Sequence, residues 1–458
     1  MKNVALHNLG CKVNSYEMEV MQQKLEEKGY NIVAFDEIAD IYIVNTCTVT
    51  NIADRKSRQM LHRARQLNPE AVVVAAGCYV QTGAESIEKD DSVDLCIGNN
   101  RKAEIVDIIE KYLESRDSNK TLDNSTVIDI NHTSEYEDMT LKHTAGHTRA
   151  CIKIQDGCNQ FCSYCVIPFA RGRVRSRGES DILEEIRGLV QEGCKEVVLT
   201  GIHISSYGLD FDSEGAVYDG HSSLIDLVEK VNEIKGLKRI RLGSLEPRII
   251  TEDTAVRLGR LEKLCPHFHL SLQSGCNETL KRMNRHYTSG EYFQSVELIR
   301  KYFEHPAVTT DIIVGFPGET EDEYSESREF IEKVRFYETH VFKYSMRSGT
   351  RAALMPNQLP DEIKTLRSNE LIRMGRIHSE EFRRYYIGKT AEVLFEEEKE
   401  IKTAEGSQIY HIGHTRDYVK VAVPADDVRS MSNAMAQVKV SGFIDGEILA
   451  GEMLEFYI

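Results

Sequence analysis

Three of the eleven cysteines stand close together in the stretch IQDGCNQFCSYC, where Cys158, Cys162 and Cys165 form a C-x3-C-x2-C loop just after a predicted strand. Three thiolates at this spacing can ligate three corners of a cubane iron–sulfur cluster. A four-cysteine site binds every iron, whereas a three-cysteine loop leaves one iron open to a non-protein ligand, and an open iron implies chemistry. A structural zinc site would call for a fourth ligand and paired C-x2-C knuckles, and the sequence has no second knuckle. Three further cysteines share a topological position: Cys11, Cys47 and Cys78 each follow an apolar run that reads as a strand, at 4–10, 41–46 and 71–77. Parallel strands bring their carboxyl ends to one edge, where ligand sites form. Thiols 36 and 31 residues apart in sequence can therefore meet at a second three-thiolate site. A lone cysteine would read as a small buried hydrophobe. Cys96, Cys151, Cys194, Cys265 and Cys276 show no such pattern and are expected to be core thiols.

The elements that must position these residues follow from periodicity. At 458 residues the chain has room for about three domains. Up to residue 113, strand-like runs alternate with helical stretches at 15–28 and 53–66, which predicts a parallel βαβ domain. Residues 114–147 turn polar and irregular, with a brief strand-like run at 127–130, and read as a linker. From 148 to 386 six strand candidates (151–155, 196–201, 239–243, 267–272, 309–314 and 340–344) alternate with helices such as 181–191 and 321–334. Six repeats fall short of the eight in a closed TIM barrel, so an open, partial (β/α)6 barrel is expected. Residues 387–458 read as a small all-β barrel of about five strands. The fold class is thus an α/β multidomain protein.

Charge limits the partners. Lys plus Arg number 57 against 73 Asp plus Glu, a net of −16, which excludes a globally basic nucleic-acid footprint and leaves room only for a local patch. No apolar run is long enough to cross a bilayer, so no membrane partner is expected. The opening MKNVALHNLG lacks the apolar segment of a secretory signal, which predicts a cytoplasmic protein with reduced thiols. Arg171, Arg173, Arg175 and Arg177 alternate with Gly, Val and Ser directly after the cysteine loop. In an extended conformation they would share one face, suited either to gripping phosphates or to shielding an edge strand. Lys364, Arg367, Arg373, Arg376, Arg383 and Arg384 on the helical stretch 361–386 form either a solvated face or a second patch.

The cysteine loop resembles the radical S-adenosylmethionine signature, and the partial barrel fits that superfamily. Both cysteine sets together with a C-terminal β module resemble the methylthiotransferases over nearly the whole chain. The branch in view is the one acting on threonylcarbamoyladenosine in tRNA. The resemblance rests on LGCKVNSYE, VNTCTVTNIADRKSRQ, AAGCYVQ, QDGCNQFCSYCVIPFARGRVRSR, RLGSLEP, HLSLQSGCNETLKRMNR and DIIVGFPGE. Sibling branches act on isopentenyladenosine in tRNA and on a ribosomal-protein aspartate. After the first cysteine the former has a Gln and Met and the latter a Pro, where this chain has Lys12, Val13 and Asn14.

The resemblance implies two [4Fe-4S] clusters. One, on Cys11, Cys47 and Cys78, would carry an exogenous sulfur that one S-adenosylmethionine methylates. The other, on Cys158, Cys162 and Cys165, would use a second S-adenosylmethionine to generate the radical that takes hydrogen from adenine C2. Both clusters must then face one cavity, with the N-terminal sheet edge capping the mouth of the partial barrel. By analogy with the fold, Glu246, Ser271, Gln273 and Asp311 at the strand ends are expected to contact S-adenosylmethionine. The implied partners are tRNA, a reductant protein such as a flavodoxin or ferredoxin, and a sulfur donor. The C-terminal module resembles the RNA-binding TRAM domain, yet from Tyr385 onward it counts 7 Lys plus Arg against 13 Asp plus Glu. That acidity shifts part of the RNA-gripping role to the arginine run and the 361–386 helix. A non-enzymatic alternative is a cluster-bearing RNA-binding or redox-sensing protein.

Overall fold

The computed structural model describes residues 2–118, 125–144, 148–211, 223–403, 406–425 and 431–457. In its N-terminal part β1 (Asn3–Asn8), β2 (Asn31–Val33), β3 (Ile41–Thr46), β4 (Val72–Gly77), β5 (Leu95–Ile97) and β6 (Ser125–Thr126) form one parallel sheet, in the order β2-β1-β3-β4-β5-β6. The central strands IYIVNT and VVVAAG are buried throughout, as strands covered by helices on both faces must be. Helix α1 (Lys12–Glu27) packs its Tyr16, Met18 and Met21 on one face, and α2 (Asn51–Leu67) packs Leu61 and Ala64 on the other. The apolar side of α1 also meets Ile152 and Ile154 of the next sheet, so one continuous core joins the first two parts of the chain.

The middle of the chain holds β7 (Arg149–Asp156), β8 (Arg175–Ser176), β9 (Glu196–Gly201), β10 (Arg239–Leu242), β11 (His267–His269), β12 (Ala307–Val314) and β13 (Glu338–Lys343). The sheets β10-β9-β7-β8 and β11-β12-β13 are linked by parallel bridges such as Leu245 to Leu270. Six parallel strands thus follow one another in chain order, at the places the βα period predicts. The exception is the two-residue β8, which pairs antiparallel with β7 and carries part of the arginine run. Thr251, Thr288 and Thr320 close capping boxes on the following helices.

From Thr390 the chain forms β14 (Thr390–Thr403), β15 (Gly406–His414), β16 (Lys420–Pro424), β17 (Met435–Phe443) and β18 (Leu449–Tyr457). They close as β14-β15-β16-β18-β17 around Val393, Phe395, Val421, Val438 and Leu449. No helix among the described residues is long and apolar enough to cross a membrane.

The segment expected to be a linker is irregular but packed. The helix Ile105–Ser118 runs into it, and the strand expected at 127–130 is instead Ser125–Thr126, followed by a short turn of helix at Ile130–His132. Met139 and Leu141 are buried, and Glu185 accepts from the Leu141 N–H at 2.7 Å. Glu137 accepts from the Ala103 N–H at 2.7 Å, and the Tyr136 hydroxyl donates to Lys153 O at 2.9 Å. Residues 119–124 and 145–147 of that segment lie outside the described residues.

The small barrel is clamped to the amino ends of β7, β9 and β10 through one buried carboxylate. Glu196 takes Arg241 at 2.9 Å, with Arg239 at 3.7 Å and Arg149 at 4.0 Å. The same arginines reach His414 O, Arg416 O and Glu396 in the C-terminal part, each at 2.9 Å. Burial alone would raise the Glu196 pKa, but the three guanidiniums outweigh it and hold the carboxyl below its usual range. A group so depressed stabilises the fold above its unfolded pKa and loses that contribution as pH falls through the folded value. Glu196→Gln should therefore cost about 3–5 kcal/mol in urea denaturation at neutral pH by leaving the arginines uncompensated, and the deficit should narrow in acid.

Candidate functional site: two thiol sets

Strands β1, β3 and β4 are neighbours in register, so their carboxyl ends place Cys11, Cys47 and Cys78 at one sheet edge. Cys11 is the N-cap of α1, and Cys78 is the first residue of the helix Cys78–Ile87. Cys47 is fixed by Ser57, whose Oγ accepts from the Cys47 N–H at 3.3 Å and donates to its carbonyl at 3.2 Å. Gly77 precedes Cys78 at φ +98°, where a side chain would meet Asn45 Oδ1 at 2.6 Å. A Cβ on Gly10 would lie 3.1 Å from Cys47 Sγ, which shows how closely the Cys11 turn approaches Cys47. Arg347, beyond β13, pins the Cys47 loop to the central domain through Thr48 at 2.7 Å and Asp54 at 2.7 Å.

The second set lies in the loop after β7. Gly157 at φ +72° starts it, and a Cβ there would fall 1.8 Å from Arg173 O, so no other residue fits. The loop is held by backbone bonds from Cys158 N to Gly172 O (3.0 Å), Ser163 N to Met283 O (3.0 Å) and Ala352 N to Ser163 O (2.7 Å). Arg285 donates to Cys162 Sγ at 3.2 Å while its plane lies over Tyr287. Burial pushes the Cys158 and Cys47 thiols up to about 11 and Cys165 to about 12.

Arg171, six residues beyond the second set's last cysteine, reaches the first set. Its Nε donates to Cys78 Sγ at 3.2 Å, and its other nitrogens bond Glu17 of α1, at 3.0 Å on one arm, and Asp156 of β7 at 3.2 Å. Lys153 joins Glu17 and Asp156, each at 2.7 Å, and Lys102 also pairs with Glu17. Burial would raise Glu17, but Arg171, Lys102 and Lys153 hold it well below the carboxylate range. Asn99 bridges the same junction, donating to Ala170 O at 2.7 Å and to Cys78 Sγ at 3.5 Å. Each set thus has one arginine donating to one sulfur, a hydrogen bond that would tune the charge of a cluster bound there.

The donor sets fit clusters rather than single ions. Among the described residues, the group of three potential ligands close enough for one ion is His269, Asp311 and His340, whose ligand atoms lie within 4.8 Å of one another. Neither thiol set is that tight. Three sulfurs in each set, spread wider than one tetrahedral ion allows, would ligate three iron corners of a cubane.

The arginine run corrects the phosphate-gripping expectation. Arg171, Arg175 and Arg177 are 0, 1 and 2 % exposed, because Gly172 at φ +72° turns the chain and buried acids draw the side chains inward. Arg175 lies 3.8 Å from Asp156, and Arg177 pairs with Glu185 and Thr140. Arg173 alone of the four is partly exposed, over the Phe161 ring. On the helix Asp361–Arg384, Arg367 and Arg383 are buried, Arg367 against Glu319 at 2.6 Å, whereas Arg373, Arg376 and Arg384 stay exposed.

The four residues expected at S-adenosylmethionine separate. Glu246 lines a cleft of about 180 Å³ with Gln160 of the cysteine loop, His203 and Arg248. Arg248 bonds it at 3.1 Å and His203 lies 3.6 Å away. Burial drives His203 down to about 4, so it is neutral near pH 7. Ser271 offers its carbonyl to Tyr287 Oη at 2.6 Å, and Gln273, at φ +71°, joins β12 through its backbone. Asp311 sits 3.3 Å from His269, away from the cleft lining. Sequence reasoning missed Glu17, Asn99, Arg285 and Arg347. Glu17 and Arg285 lie inside quoted motifs, while Asn99 and Arg347 lie outside them and left no local signal.

This architecture, a cysteine loop on a run of parallel βα units joined to a second thiol set, defines a radical SAM protein. Residues 152–331 match the model of the radical SAM superfamily, and residues 3–98 match that of the uncharacterized protein family UPF0004. Two relatives are named threonylcarbamoyladenosine tRNA methylthiotransferase MtaB. The one from Bacillus subtilis is 38% identical over 96% of this chain and 94% of its own, and the one from Aquifex aeolicus 37% identical over 90% and 97%. The tRNA-2-methylthio-N(6)-dimethylallyladenosine synthase of Acetivibrio thermocellus is 36% identical over 86% of this chain and 81% of its own. Among solved structures, the radical S-adenosylmethionine methyltransferase TsrM of Kitasatospora setae superposes with a TM-score of 0.52. It covers 75% of this chain and 72% of that one at 15% identity, a likeness of fold alone. The chain belongs to the radical SAM methylthiotransferase family.

Because Arg177 is buried against Glu185, Arg177→Ala should lower stability by about 3–5 kcal/mol yet leave the salt dependence of tRNA binding unchanged. A flattened salt slope in the folded variant would restore the phosphate role.

Proposed function

We propose that this chain converts N6-threonylcarbamoyladenosine in tRNA, at adenosine 37 on the 3′ side of the anticodon, to its 2-methylthio derivative. The observation that carries this reading is the pair of three-thiol sets, each one ligand short of a closed cubane, with Arg171 from the chain just beyond one set donating to Cys78 of the other. Cys11, Cys47 and Cys78 hold one [4Fe-4S] cluster, and Cys158, Cys162 and Cys165 the other. When bound, the clusters and two S-adenosylmethionines per turnover supply a methylated sulfur and a hydrogen-abstracting radical.

The chain's own residues do the rest. Arg171 and Arg285 balance charge at one sulfur of each set. Glu246, with Gln160 and neutral His203, lines the cleft beside the loop where the cofactor's polar groups bind. The six parallel strands act as the open (β/α)6 barrel, and α1 with its sheet edge closes the mouth so that the reacting carbon is shielded from water. Residues 1–113 form the N-terminal methylthiotransferase domain and 148–386 the radical SAM core. The barrel 387–458 is TRAM-like and, being acidic, relies on Arg173, Arg373, Arg376 and Arg384 for phosphate contacts. A flavodoxin or ferredoxin supplies the electron, a separate donor supplies sulfur, and the work is done in the cytoplasm.

Anaerobic reconstitution should give about eight irons and eight sulfides per chain, falling to about four in Cys78→Ala and in Cys158→Ala. Nucleosides from tRNA of a strain lacking the gene should retain threonylcarbamoyladenosine and lose its 2-methylthio form. Loss of the methylthio group from isopentenyladenosine instead would assign the sibling substrate. Absence of 5′-deoxyadenosine after incubation with S-adenosylmethionine and a strong reductant would favour a non-catalytic cluster protein.

A further inference from the structure

Strands β11, β12 and β13 lie side by side in parallel register, with His269 opposite Thr309 and Asp311 opposite His340. Side chains along a strand alternate between two faces. Phe268, Val308, Ile312 and Val341 pack into the core with the covering helices, so His269, Asp311 and His340 stand on the opposite, inner face of the open barrel. One potential ligand atom from each lies within 4.8 Å of the other two. His269 Nε2 stands 3.3 Å from Asp311 Oδ2. Two ligands on one tetrahedral zinc, each about 2.0–2.1 Å from it, stand roughly 3.3 Å apart, so this pair already has the spacing of a shared ion. The third ligand comes from His340, the most exposed of the three, whose side chain has room to turn.

The ring of His269 is set for this role. Its Nδ1 bonds Thr309 Oγ1 at 3.0 Å, while its Nε2 is buried with no hydrogen-bond partner among the described residues. A ligating imidazole gives its other nitrogen to such an outer partner, which fixes the tautomer and aims the lone pair. With Nδ1 donating to Thr309, Nε2 turns its lone pair toward a carboxylate oxygen, and two acceptors face one another. A cation between them removes that conflict and takes in His340 as well. A proton on Nε2 would join only two of the three groups.

We propose that His269, Asp311 and His340 form a metal site distinct from both thiol sets, which takes a divalent first-row cation such as zinc. Two imidazoles and a carboxylate suit such an ion, whereas the thiol sets suit iron–sulfur clusters. Three protein ligands leave one position open to water or an anionic ligand. The assignment does not depend on which tRNA base is modified.

The test uses the anaerobically reconstituted protein, in which iron loading occupies the cluster cysteines, with zinc as the probe. After desalting it should retain about one zinc per chain, and zinc-edge X-ray absorption should show nitrogen and oxygen neighbours at about 2.0–2.1 Å. Chelator competition should show affinity falling by at least about tenfold in Asp311→Asn and in His340→Ala, and by about ten- to a hundredfold in Thr309→Val, which keeps all three ligands but removes the outer bond. Iron content should match wild type in every variant. His340→Ala, at an exposed position, keeps the test open if the other two fold poorly. A shell of sulfur neighbours at about 2.3 Å, failure to retain zinc on desalting, or an affinity unchanged in His340→Ala would overturn the assignment.

Discussion

The arrangement depends on one buried guanidinium. Arg171 stands six residues beyond the last cysteine of the loop and touches Glu17, Asp156 and a sulfur of the other cysteine set. A buried charge of this kind is tolerated only when its hydrogen-bonding capacity is filled. Asn14, Glu17, Asp156 and Cys78 fill it from two domains. The N-terminal sheet and the parallel strands of the core cannot separate without exposing or unpairing that charge, so the relative placement of the two thiol sets is built into the core.

Glu196 plays the matching part at the opposite ends of the strands. It gathers three arginines that also bind the small barrel, so that two acidic foci, Glu17 and Glu196, hold three structural units together. A cavity of about 810 Å³ lies at the Glu196 end, walled by α1 on one side and by the small barrel on another. Electrostatics here does positional work more than stabilising work: paired, buried ions set orientation and register, while the apolar core around Ile152, Leu199 and Ile240 supplies the cohesion.

Much of this was legible in the sequence. The strand expected at 196–201 is Glu196–Gly201 and that expected at 309–314 lies within Ala307–Val314, and the three scattered cysteines come to one sheet edge because strand adjacency follows from the βα period. The arginine run was misread because alternation of residue types fits an extended strand, whereas the fold gives it a turn at Gly172 and only two residues of strand. Its partners Glu17 and Glu185 lie 154 and 8 residues away, and nothing in the local pattern distinguishes a buried acid from a solvated one. The polar stretch at 114–147 misled for the same reason: Met139 and Leu141 are too sparse to read as core until Glu185 and Tyr16 are seen to bond that segment.

The central claim is that the chain holds two separate three-thiol sets, each binding an iron–sulfur cluster. Anomalous scattering at the iron edge from crystals of the anaerobically reconstituted protein tests it most directly. The account predicts two iron peaks, one among Cys11, Cys47 and Cys78 and one among Cys158, Cys162 and Cys165. A single peak, or a second one at His269, Asp311 and His340 instead of the N-terminal thiols, would contradict it.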